Sequence, residues 1–138
     1  MDVTKIPFNN FIGIKRSNDK NYILQIEEDK KYHNHLQTIH ASVQFALAEA
    51  TSGDFLLNNF IDYKNNIIPV VRRTELKYSI PAKGKLYSKA YFAGKSKDEI
   101  INELKSKTRL FIPIEVKIFD EEKNITLHST FHWFIQKM

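Results

Sequence analysis

The clearest pattern in the chain is the alternation over residues 110–119, where Leu110, Ile112, Ile114, Val116 and Ile118 fall on one side and Glu115 and Lys117 on the other. A period of two predicts a strand with one buried face. Residues 125–135 repeat it with Ile125, Leu127, Phe131, Trp133 and Ile135, and the polar run Asp120 to Asn124 predicts the hairpin turn between the two. Two more strands are predicted at roughly 67–80 and 85–94, joined by Pro81-Ala82-Lys83-Gly84, and two short ones at 10–16 and 22–28, on either side of Ser17-Asn18-Asp19-Lys20.

The period changes between these strands. From Thr38 to about Asn58, Val43, Leu47, Ala50 and Leu57 recur at spacings of four, three and seven, which predicts a helix. Phe45, Ala46, Ala48 and Leu56 extend its apolar surface around the cylinder, so one face of a sheet cannot cover it all. A second helix opens at Ser96, where Ser-Lys-Asp-Glu forms a capping box and the following surface is mostly charged. Two strands, a long helix, two strands, a short helix and two strands are satisfied by an α+β domain. An antiparallel sheet of about five to six strands curls around one central helix.

Composition narrows the chemistry. A chain of 138 residues is expected to form a single domain, residues 1–138, with a real core. With no cysteine, thiolate zinc sites, disulfides and a cysteine nucleophile are excluded. No apolar run approaches the ~20 residues that span a bilayer, and the N-terminal stretch lacks a signal-like apolar core, so a cytoplasmic location is expected. The net charge of +5 is uneven: residues 64–109 hold 12 of the 21 lysines and arginines against four acids, a local excess of +8. Such a segment attracts a polyanion or is plain solvated surface. No nucleic-acid-binding signature accompanies it, which makes nucleic acid an unfavoured partner.

Glu49 stands out because it lies inside the apolar helix. A carboxylate there needs a cavity, a partner or exposure, since stripping its charge of water is costly. Asn34, His40 and Glu49 give the pattern N-x5-H-x8-E, followed by Ala50-Thr51-Ser52-Gly53. This string resembles the hotdog-fold acyl-CoA thioesterases of the phenylacetyl-CoA type, and the order of elements resembles a hotdog subgroup catalogued as a domain of unknown function. The resemblance implies a general base or nucleophile at Glu49, an oxyanion donor in the backbone after His40, at Ala41 and Ser42, and substrate or water positioning by Asn34. Where active relatives read His-Gly-Gly, this chain has His40-Ala41-Ser42, and side chains there can crowd a thioester. Where some relatives carry a water-holding hydroxyl one turn after the carboxylate, this chain has Gly53, with Ser52 as the substitute.

Helix geometry adds an assembly. Nine steps of about 100° put His40 and Glu49 on opposite sides of a regular helix. Two antiparallel copies about a twofold axis bring one copy's helix start to the other's Glu49, so a homodimer, or a tetramer built from it, is expected. The resemblance also implies CoA bound at the surface as part of a thioester substrate, with no separate cofactor. Lys83 and Lys85, flanking Gly84, suit its phosphates, and Arg72 and Arg73 point to opposite faces of one strand, so one of them serves a given site. A metal site is not expected: His128 and His132 lie about 13 Å apart along a strand, and His33, His35 and His40 have no ligand at matching spacing. Three functions fit: hydrolysis of an acyl-CoA thioester, non-catalytic binding of an acyl chain or acyl carrier, and hydration or dehydration of an acyl group.

Overall fold

The computed structural model describes residues 1–138. Six strands form one antiparallel sheet: β1 (Lys15–Arg16), β2 (Leu24–Ile26), β3 (Ile67–Tyr78), β4 (Leu86–Phe92), β5 (Arg109–Phe119) and β6 (Ile125–Lys137), in the spatial order β1-β2-β4-β5-β6-β3. The two cleanest sequence alternations, β5 and β6, pair in the sheet's interior. Their inward residues Leu110, Ile112, Ile114, Val116 and Ile118 face the core beside Leu127, Phe131 and Ile135. A register shift after Ile118 turns Thr126 inward as well, where its hydroxyl donates to Gln44 Oε1 at 2.7 Å.

The long helix α2 (Ala41–Asn59) lies in the concave face of this sheet, giving the hotdog arrangement that the pattern predicts. Ala46, Leu47, Ala48, Ala50, Gly53 and Leu56 are all buried. The small ones let the sheet approach closely, and an added Cβ at Gly53 would already meet the Trp133 ring at 3.4 Å. Buried polar groups are paired, as the cost of orphaned ones requires. Thr51 Oγ1 donates to the Leu47 carbonyl and lies 2.6 Å from Ser88 Oγ, and Ser129 Oγ donates to the Val116 carbonyl. The helix starts later than its pattern suggests because Thr38 is held in a loop by Asn34 and Ile39 bridges to His33. The short helix α3 (Lys97–Ser106) is capped by Ser96, which accepts from the Glu99 amide, and it seats Ile100 and Leu104 against β5.

The N-terminal part differs from its expectation. Instead of a strand over 10–16, the chain makes a 3-10 turn at Val3–Lys5, then α1 (Pro7–Phe11), with only Lys15–Arg16 extended. Pro7 occupies the first helical position, where its missing N–H is not needed, and Gly13 turns the chain with a φ of +82°. The strand expected at 22–28 shortens to three residues. The segment lies across α2 and leaves a 12-residue strand, β3, as an open sheet edge with Ile68 and Val70 exposed.

Candidate functional site

In the first half of α2, Ala41, Ser42, Phe45 and Glu49 form an exposed to half-buried stripe, spaced to share a face. With Phe8, Ala46 and Tyr78 it lines a cleft of about 420 Å³. Glu49 thus sits at the protomer surface, yet apolar walls strip enough water from its carboxyl to push its pKa above the ordinary carboxylate value. No side chain or backbone group of the protomer hydrogen-bonds or ion-pairs with that carboxylate. A charge kept partly desolvated and unpartnered is what a base or nucleophile needs.

The start of α2 gives the second half of the site. His40 is the N-cap, with its Nδ1 accepting from the Ser42 amide at 3.0 Å. The amides of Val43 and Gln44 turn back to the His40 carbonyl. Only the Ala41 N–H, at the positive end of the helix, is left without a protein acceptor. Of the two expected oxyanion donors, Ala41 is therefore open and Ser42 is occupied by the cap. Tyr78, on β3, donates to the Ala41 carbonyl at 3.3 Å and fixes this corner.

Asn34 lies near but is used locally. Its Oδ1 accepts from the Leu36 and Thr38 amides at 2.9 and 3.1 Å, and its Nδ2 donates to Thr38 Oγ1. It lines a neighbouring hollow with Ala41, Gln44 and Tyr78 rather than the Glu49 cleft. Ser52 is buried one turn beyond Glu49, where its hydroxyl donates to the Glu49 carbonyl and accepts from Trp133 Nε1 at 3.1 Å. That hydroxyl holds the helix and the indole.

The basic residues are arranged differently from a simple strand. A bulge between Val71 and Arg73 cancels the alternation at this point, so Arg72 and Arg73 share the outer face instead of opposing one another. The Arg72 guanidinium lies 4.2 Å from the centre of the Phe134 ring, and Arg73 pairs with Glu75, which also meets His132. Lys85 pairs with Glu27 at 3.5 Å, whereas exposed Lys83 lines a surface hollow with Glu28, Asp120, Glu121 and Glu122. The turn is therefore far less positive than its own sequence suggests.

Three features escape a reading of the sequence. Phe8 and Tyr78 wall the Glu49 cleft from distant segments, with no local signal. Arg16 joins Asp2 at 3.0 Å and buried Asp54 at 2.7 Å, clamping the N-terminal segment to α2. Asp54 lies in the apolar helix as Glu49 does, which is the one signal that marked it. No three histidine, aspartate and glutamate side chains cluster closely enough to hold a metal ion, and no helix is long and apolar enough to cross a membrane.

The curled antiparallel sheet wrapped around one long helix defines a hotdog fold. The chain belongs to the family described as domain of unknown function DUF4442, whose family model matches residues 12–135. Its fold is similar to that of a Pseudomonas aeruginosa protein described as a probable thioesterase, at 20% identity and a TM-score of 0.82 over 99% of this chain and 91% of that one. A Haemophilus influenzae thioesterase matches at 16% identity and a TM-score of 0.72, over 98% and 86% of the two chains. A Bacillus halodurans protein solved with CoA matches at 16% identity and a TM-score of 0.64, over 81% of this chain and 69% of that one. No curated protein matches the sequence.

Proposed function

We propose that the protein is an acyl-CoA thioesterase whose active site forms between two copies of the chain. The observation that carries this reading is the pairing, along one α2 stripe, of an unpartnered, partly desolvated Glu49 with an open Ala41 N–H. Within one protomer Ala41 lies eight residues before Glu49, about 12 Å of helix. An antiparallel partner helix laid on the stripe brings Glu49 to the partner's Ala41, and covers apolar surface at Phe45 and Phe8. The open β3 edge gives the same twofold assembly a second place to pair.

In this site Glu49 takes a proton from water as the water oxygen adds to the thioester carbonyl. The carbonyl oxygen becomes an oxyanion and accepts from the N–H of Ala41 of the partner subunit, at a helix start whose dipole favours negative charge. Collapse breaks the carbon–sulfur bond. The CoA thiolate takes the proton held by Glu49, leaving a carboxylic acid and a thiol. The structure of the Bacillus halodurans relative with CoA supports CoA as the carrier. Asn34 serves by shaping the loop ahead of the helix start, and His40 by presenting the first turn.

Thiol release from a panel of acyl-CoA esters tests the assignment. Glu49→Gln should lower kcat by at least about 100-fold, a loss no milder than that of one oxyanion donor, with circular dichroism unchanged. Because the carboxyl must be ionised and its pKa is raised, the acid limb of kcat/KM should fall above the ordinary carboxylate range. Equal rates for wild type and Glu49→Gln would refute the assignment. The single open donor, where two were expected, favours one other reading, an acyl-binding protein without turnover. Tight binding of acyl-CoA with no thiol release in the wild type would establish it.

A further inference from the structure

A second hollow, of about 190 Å³, opens on the other flank of Glu49. Its walls are Val3 and Ile6 from the N-terminal segment, Gly53 and Leu57 one and two turns along α2, Pro69 on β3 and Trp133 on β6. These surfaces are apolar, and the two side-chain N–H donors beside them are already used. Trp133 Nε1 is spent on Ser52, and Asn9 Nδ2 on the Val3 carbonyl. Glu49 is the one charged side chain among the lining residues, so a chain that enters past it ends against the carboxylate.

We propose that this hollow holds the acyl group of the substrate, and that the N-terminal segment is the wall that limits its length. The proposal rests on the hydrolase reading only for where the thioester lies. At about 30 Å³ per methylene-sized group, the share of a water molecule, the hollow accepts about six carbons. Its floor is firm: a side chain at Gly53 meets the Trp133 ring, and that ring is held by Ser52. Its outer wall is firm too, because Asp2 accepts from the Thr4 amide and hydroxyl while Arg16 ties Asp2 to buried Asp54. A longer chain has to displace a clamped segment.

The test uses the full chain and two measurements. Thiol release is followed on butyryl- to palmitoyl-CoA, and binding of S-alkyl-CoA thioethers of the same lengths, which cannot be hydrolysed, is followed by calorimetry. Affinity for the thioethers should rise about fourfold per methylene while the hollow fills, then stop near hexyl. Ile6→Ala, at the partly exposed rim, should move that break to longer chains, and Leu57→Phe should move it to shorter ones. Thioethers that show the break while no ester is cleaved would overturn hydrolysis and leave the acyl site standing. A break at the same length in all three proteins, no dependence on length, or no thioether binding would overturn the acyl site, even if esters are cleaved.

Discussion

Phe45 is where the proposed dimer is most exposed to test. An antiparallel helix pair that sets Glu49 against residues 41 and 42 of the other copy places Phe45 opposite itself, on the twofold axis. In the protomer this ring is only partly buried and packs edge-on against Phe131, with centroids 5.7 Å apart. The assembly buries the rest. Phe45→Asp removes that remaining burial from both copies at once, about 1 kcal/mol each, a third of the scale for a fully buried aromatic side chain. Two carboxylates meeting near the axis add about 1 kcal/mol if they are 4 Å apart in water. At 1.4 kcal/mol per tenfold, the dissociation constant should rise about 100-fold. Sedimentation velocity across the micromolar range should show a dimeric wild type and a monomeric, folded Phe45→Asp protein without thioesterase activity, while Phe45→Leu stays dimeric. A wild-type monomer, a Phe45→Asp dimer, or a monomer with full activity would refute the shared site.

Asp54→Asn weakens the clamp on the N-terminal segment by removing a charged hydrogen bond, a loss of about 1–3 kcal/mol. It should appear as a lower urea midpoint at unchanged slope, and a wild-type midpoint would mean that the Arg16 bridge adds nothing to stability. Reversing Lys83 and Lys85 together should raise KM for acyl-CoA about two- to fivefold at low salt with kcat held, the scale of exposed ion pairs. The effect is small because acidic residues 120–122 and Glu27 already surround the turn, and an unchanged KM would place the CoA phosphates elsewhere.

The strands β5 and β6, the capped α3 and the buried character of α2 are legible in the sequence because each depends on local periodicity. Alternation over 110–119 has one way to hide its apolar face, and Ser96 lies three residues before Glu99. Glu49 is legible for a related reason: a carboxylate among alanines and leucines breaks the pattern around it. Other features depend on groups that the sequence keeps apart. Whether Ser42 or Ala41 offers a free amide depends on His40 folding its ring back over the first turn. Whether Arg72 and Arg73 oppose or share a face depends on a bulge set by pairing with β6. The Lys83 turn is basic in sequence and nearly balanced in space, because Coulomb energy follows distance and acids at 27, 28 and 120–122 fold against it. The hollow beside Glu49 has walls from four separate segments, so no local pattern could announce it. Sequence periodicity decides which faces are buried. Only the tertiary structure decides which groups meet there.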